Sequence, residues 1–276
     1  MINVKKYDIT QSEFEKLKAL IYETAGIHLS DAKRQLVISR YSKRLRELEL
    51  ESFDQYYDLV TSDKDSLEIQ NFVNSITTNK TDFFRERHHF EFLRDVFIPA
   101  LNRNDTVKIW SSGCSTGEEP YSIAMVMHKY FVEPMSGKVE ILATDIDTSV
   151  LYKAGKGIYE EELVNQVPMN LRKKYFLRGK GHRQGFFKIK DELKEMVNFK
   201  QMNFMRDEYP FSKNFDIIFC RNVIIYFSTS DKKKVVKRLV RHVKKGGFFI
   251  IGHSETLFNM IDGLSYQNNT IYRKEY

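Results

Sequence analysis

From about residue 105 the chain alternates short apolar runs with helical stretches, and this alternation constrains the fold more than any other feature. The runs are VKIW (107–110), VEILAT (139–144), FDIIFC (215–220) and GGFFIIGH (246–253), with helices predicted to start near Glu118, Thr148 and Thr229. Strands separated by helices predict βαβ units and a parallel sheet, because parallel neighbours need a crossover over a sheet face. The last segment, SYQNNTIYRKEY, can supply a terminal strand, with an antiparallel direction open to it. One stretch breaks the rhythm. GKGHRQG reads as a hairpin tip and FFKIK alternates like a half-exposed strand, so a small β-rich insertion is expected at about 158–195.

The first 76 residues read differently. They hold no proline and only Gly26, and predict a small all-α domain. Thr10 or Ser12 can cap a first helix bearing Phe14, Leu17, Leu20 and Ile21 at helical spacing. AGIHLSD predicts a turn, with Ser30 or Asp31 capping a second helix whose apolar stripe is Ile38, Tyr41, Leu45 and Leu48. Lys33, Arg40 and Arg44 fall together on an adjacent face. Further helices are expected at about Phe53–Leu59 and Ser66–Asn74. Residues 77–104 then read as a linker and the first helix of the larger domain, which occupies 105–276.

No apolar run approaches the ~18 residues that cross a bilayer, and MINVKKYDIT has no signal-like apolar stretch, so a cytoplasmic protein is expected. The two cysteines, Cys114 and Cys220, have no partners at metal-ligand spacing. His88, His89 and His253 lack a carboxylate–histidine pattern, and no metal is expected.

The chemistry is concentrated at the end of the first predicted strand. VKIW runs into SSGCSTGEEPYSIA, in which Gly113 and Gly117 permit a tight turn and Pro120 suits the first turn of a helix. Strand, glycine loop and helix form the place where an open α/β sheet holds a nucleotide-like ligand. The loop is neither G-x-G-x-x-G nor a phosphate-binding P-loop. Glu118 and Glu119 stand where a pyrophosphate would sit, and they would repel one. They suit a cation, and S-adenosylmethionine carries a sulfonium and an ammonium. The rival reading is that they complement a helix N-terminus. After the second strand, Asp145 is placed to accept from ribose hydroxyls and Asp147 to cap the next helix. Asn203 can meet an adenine edge, with Met202 or Phe204 on its face. Arg221, Asn222 and Tyr226 follow the strand FDIIFC at the edge where such folds do their chemistry.

Taken in order, NKTDFFRE (79–86), GCSTGEEPYSIA (113–124), ATDID (143–147), MVNF…MNF (196–204), FCRNVIIYF (219–227) and GGFFIIGHSE (246–255) resemble the CheR family of chemotaxis receptor methyltransferases. The resemblance runs across nearly the whole chain. It implies a Rossmann-like S-adenosylmethionine-dependent methyltransferase domain with a small β-subdomain insertion, preceded by an all-α N-terminal domain. It also implies methyl transfer to glutamate side chains on receptor helices, giving methyl esters and S-adenosylhomocysteine, with no metal. By position, Asn79, Thr81, Arg85, Gly113, one of Glu118 and Glu119 (Glu119 is favoured), Asp145, Asn203, Phe204, Arg221 and Asn222 resemble cofactor positions. Arg85 and Tyr226 resemble the pair at the transfer centre. Lys33, Arg40 and Arg44 gain a candidate purpose as a basic face for acidic receptor helices, the alternative being a solvated face. Contact with the membrane is expected only through the receptor, and whether the β-insertion holds a receptor's C-terminal tether is left open.

Two rival functions come from the same residues. A nucleic-acid methyltransferase would suit the net charge of +7, but the Asn/Asp-Pro-Pro-aromatic type of motif expected for base amines is missing, and no nucleic-acid partner is expected. A sensor that binds S-adenosylmethionine without turnover is the second.

Overall fold

The computed structural model describes residues 7–62, 67–102, 104–211, 214–257 and 260–276. The helical region holds α1 (Gln11–Ala25), α2 (Arg34–Glu47), α3 (Phe53–Ser62) and α4 (Leu67–Ile76). Its own core is built on Phe14, Leu17, Tyr41, Leu45, Tyr56 and Phe72. Thr10 caps α1 through a full capping box with Glu13, and α1 ends at Gly26 in the left-handed region at φ +69°. Ser30 stands before a short 3-10 turn, Asp31–Lys33, and its side chain makes no capping bond, contrary to expectation. The turn itself tightens the chain into α2, so α2 starts at Arg34. Val37 is fully buried on α2, while Ile38 and Leu48 are only half-buried, so the buried stripe is rotated from the expected one. The expected start of the fourth helix at Ser66 lies outside the described residues.

The linker enters α5 (His88–Phe92), continued by a π turn and a 3-10 turn to Ala100. The larger domain then alternates as read: β1 (Thr106–Ser112), α6 (Glu118–Met127), α7 (Glu133–Met135), β2 (Lys138–Asp145) and α8 (Thr148–Lys156). The insertion follows, with β3 (Ile158–Glu160), α9 (Glu161–Val164), α10 (Met169–Tyr175), β4 (Phe176–Arg178), β5 (Phe186–Ile189) and α11 (Asp191–Lys194). Its strands form a separate antiparallel sheet in the order β3-β5-β4. The chain returns as β6 (Val197–Gln201), which joins the main sheet parallel to β2. The sequence gives no separate strand for VNFKQ, because it is short and its face is half polar.

The last elements are β7 (Phe215–Cys220), α12 (Thr229–Arg241), β8 (Val243–Ile251), β9 (Leu264–Asn268) and β10 (Ile271–Lys274). The expected single terminal strand is a hairpin, with β10 antiparallel to both β8 and β9. Asn269 and Thr270 make its turn in the left-handed region. The sheet order is β6-β2-β1-β7-β8-β10-β9. The order in which the chain adds its parallel strands reverses between β1 and β7, which opens a crevice at their C-terminal ends. One sheet face packs on Tyr121, Ile123 and Met127 of α6; from the other, Trp110 of β1 joins Val236 and Leu239 of α12 in a second core. No described helix is long and apolar enough to cross a membrane.

Candidate active site and cofactor cavity

A cavity of about 520 Å³ lies at that crevice, and the helical region closes its far side. This volume lies within the range of small-molecule sites.

The glycine loop forms the first wall. Gly113 and Cys114 donate their N–H groups to the Thr144 carbonyl at 2.7 and 2.9 Å, which pins the loop to the end of β2. Gly113 sits at φ +82°, and a β-carbon there would meet Val223 Cγ2 at 2.2 Å. Both facts demand glycine. The next N–H, from Ser115, donates to Asp145 Oδ2 at 2.8 Å, and that of Asp147 donates to Oδ1 at 3.0 Å. The Asp145 carboxylate is therefore fixed at the cavity wall. Burial pushes its pKa up to about 6, against the pull of these N–H donors. Asp147 is the α8 cap, as expected, accepting from Ser149 and Val150.

The two adjacent glutamates part company. Glu119 lines the cavity; it accepts from Ser111 Oγ at 2.6 Å and from Arg221 Nη1 at 2.9 Å. Glu118 does not line the cavity and accepts from Thr116 Oγ1 at 2.7 Å. Successive helical residues differ by ~100°, so the two cannot share a face. Burial raises the pKa of both; for Glu119 the Arg221 guanidinium opposes the rise without cancelling it.

Arg221 is buried, and it is a hub. It pairs with Glu119, lies 3.3 Å from Glu86, and donates to the backbone carbonyl of Arg85. That carbonyl belongs to an unusual turn, for Phe84 and Glu86 on either side of Arg85 are both left-handed, at φ 55° and 57°. Such backbone costs about 1–3 kcal/mol per residue and persists where its surroundings fix it. Here Phe84 N–H donates to Ser122 Oγ at 3.0 Å, and His253 N–H donates to Glu86 Oε2 at 3.1 Å. Arg85 lines the cavity, and its guanidinium donates to the Lys80 carbonyl at 3.1 Å. Among the described residues no carboxylate pairs with it.

Tyr226 closes a 3-10 turn, Ile224–Tyr226, and its hydroxyl lies 3.4 Å from the Thr78 carbonyl. Burial raises the phenol pKa, while Arg85 and the Thr78 contact lower it, so the hydroxyl stays protonated at neutral pH. Thr81, Phe204 and Asn222 also line the cavity; Asn222 is left-handed at φ 58° and its N–H donates to Glu255. Asn79 and Asn203 line it too, but their amides are committed. Asn79 Nδ2 donates to Asp147 Oδ2 at 2.7 Å, tying the linker to the α8 cap. Asn203 donates to the Thr24 carbonyl at 2.7 Å and accepts from Met205 N–H.

Thr24 and its neighbours show what the sequence reading missed. AGIHLSD reads only as a turn, yet Ile27, His28 and Leu29 form the cavity's far wall, and His28 N–H donates to the Tyr226 carbonyl at 2.9 Å. Ser111, Ser115, Glu86 and Glu255 were missed as well. They act by holding other groups, a role with no local sequence signal.

The predicted basic face divides. Lys33 lines the cavity and Arg40 is exposed away from it. Arg44 is engaged within the helical domain: its Nε donates to Glu68 at 2.8 Å and its Nη1 to Glu47 at 2.9 Å. Glu68 lies on α4, 24 residues further along the chain, so the pairing is invisible in the α2 pattern alone. Glu86, His88 and His89 come within 4.8 Å of one another, a grouping not expected from their spacing. Arg221 occupies the same Glu86 carboxylate, and burial holds the His89 pKa down to about 3. Cys114 and Cys220 are buried and free.

The buried Asp145 carboxylate, to which no cation is paired among the described residues, lines a cavity at the switch point of a parallel sheet, a place that suits a nucleoside-like ligand carrying positive charge. This is the site of an S-adenosylmethionine-dependent methyltransferase. Residues 79–272 match the CheR methyltransferase, SAM binding domain, and residues 12–77 match the CheR methyltransferase, all-alpha domain. The chain belongs to the CheR methyltransferase family. It is 40% identical over 271 residues to chemotaxis protein methyltransferase 2 of Pseudomonas aeruginosa, covering 97% of this chain and 95% of that one. It is 41% identical over 265 residues to the chemotaxis protein methyltransferase of Escherichia coli, covering 96% and 91%. With that of Borreliella burgdorferi the identity is 39% over 257 residues, covering 91% and 90%.

Proposed function

We propose that the protein methylates glutamate side chains on the cytoplasmic helices of chemotaxis receptors, forming glutamyl methyl esters and S-adenosylhomocysteine. The observation that carries this reading is Arg85, a cavity arginine with no carboxylate partner among the described residues, beside a protonated Tyr226. The names of the relatives support the receptor as substrate. The cofactor, when bound, supplies a methyl group on a good leaving group.

The chain's own residues do the rest. Asp145 would favour the cationic cofactor because a positive charge offsets the cost of its burial, while Glu119, already paired with Arg221, would border it. Gly113, Asp145, Asn203 and Phe204 line the cavity; Gly113 would give the cofactor backbone access, Asp145 would accept from its ribose, and Asn203 and Phe204 would border its base. Glutamate, with a pKa of ~4.3, is already an anion and needs no general base. It needs to be held in line and stripped of water, and positioning of this kind is worth ~7–11 kcal/mol. Arg85 orients the substrate carboxylate with its two-pronged fork. Tyr226 donates to the same carboxylate or shapes the methyl pocket. Lys33 at the cavity wall and the exposed Arg40 steer acidic helices towards it. Tethering to a receptor C-terminus would fall to the β3-β5-β4 sheet, whose exposed face carries Ile158, Leu177 and Phe186. The protein would act in the cytoplasm.

The test uses cofactor labelled on the transferable methyl and receptor-containing membranes. Base treatment should release volatile labelled methanol from a receptor-sized band. Tight cofactor binding with no label on the receptor would favour a sensor or another acceptor instead.

A further inference from the structure

The positive charge of the chain is not spread over it. Residues 229–245 hold eight lysines and arginines against one acid, Asp231. That excess of seven equals the net charge of the whole chain, +7, so the rest is neutral. Three of the eight are engaged: Lys234 with Asp231, Arg238 with Asp207 and Lys244 with Asp216. Lys233, Lys237 and Arg241 are exposed at i, i+4 and i+8 of α12, and no ion pair reaches them among the described residues. Like charges at that spacing repel, so the stripe weakens the helix that carries it. None of the three lines the cavity. Yet α12 starts at its rim, because Phe227 lines the cavity and Ser228 caps the helix.

We propose that this stripe is a second docking surface for the acidic receptor helices, continuing away from the cavity mouth. The proposal rests on the receptor reading above and names how the substrate is held outside the cavity. The three cations rise ~6 Å from one to the next, which matches carboxylates on successive turns of a helix laid alongside. The other polyanions fit less well. A membrane-surface helix carries outward apolar residues to insert, whereas Val235, Val236, Leu239 and Val240 of α12 are all buried. Single-stranded nucleic acid calls for aromatic platforms among the cations, and α12 has none.

The test is the full-length triple variant Lys233→Glu/Lys237→Glu/Arg241→Glu, with a milder triple Gln variant in case the reversal unfolds. Substrates are receptor in membranes and a soluble receptor cytoplasmic fragment. The expected result is a KM for both substrates raised about tenfold, a flatter salt dependence, and kcat and cofactor affinity within about twofold of wild type. Unchanged KM for both would overturn the proposal. A rise confined to receptor in anionic membranes would overturn it in favour of lipid. Loss of nucleic-acid retention with unchanged KM would overturn it in favour of nucleic acid. A wild-type protein that esterifies neither substrate would instead sink the functional reading on which this one stands.

Discussion

Arg221 meets Glu119 at 2.9 Å inside the protein, and its guanidinium also holds the backbone carbonyl of Arg85. A wall of the cavity and the arginine proposed to orient the substrate are thus set by one buried side chain. Arg221→Ala leaves the buried Glu119 and the half-buried Glu86 without their arginine partner. Removing one partner of a buried ion pair costs about 3–5 kcal/mol, so denaturant unfolding should show a loss of that order. Arg221→Lys should recover little, because an ammonium cannot serve three acceptors with a planar fork.

Cofactor binding should depend on pH through Asp145. Its pKa of about 6 lies above that of the unfolded chain, so the group is neutral in the cofactor-free fold below that pH. Cofactor affinity should fall as pH drops through 6, as titration calorimetry between pH 5 and 8 would show. The sign for folding is opposite. Between ~4 and 6 the unfolded state binds fewer protons than the folded one, so this group's contribution to stability decreases as pH rises through that window. Asp145→Asn should remove the inflection in both; an affinity flat with pH in the wild type would refute the assignment.

The neighbouring glutamates offer a sharper comparison. Glu119→Gln should weaken cofactor binding about tenfold or more, since it faces the cavity and anchors Arg221. Glu118→Gln should leave affinity within about twofold, because its partner is Thr116. Equal losses in the two variants would contradict the geometry.

Gly113→Ala combines an unfavourable φ with a 2.2 Å contact to Val223. Overpacking of this kind costs about 1–3 kcal/mol, and here it also displaces the loop that borders the cofactor. Cofactor affinity should fall together with melting temperature.

Much of this site was legible because its signals are local. A glycine loop after one apolar strand, an acid after the next and Arg221-Asn222 after a third are read directly from VKIW, VEILAT and FDIIFC. Contacts between distant segments were not. Arg44 has the spacing of a surface cation, yet Glu68 on α4 takes it. Asn79 has the position of a cofactor ligand, yet its amide is bound to Asp147. The left-handed backbone at Phe84 and Glu86 is sustained by Ser122, His253 and Arg221, which lie 38 to 167 residues away in their bonds. Strand β6 was hidden because pairing with β2, not its own pattern, makes it a strand.

The most direct test of the account is single-turnover methyl transfer by Arg85→Ala, measured as base-released labelled methanol at saturating cofactor and receptor. The account predicts a transfer rate lowered by about a hundredfold or more at saturating cofactor, with Arg85→Lys only partly restoring the rate. Wild-type transfer by Arg85→Ala under these conditions would contradict the claim that this arginine positions the glutamate for attack.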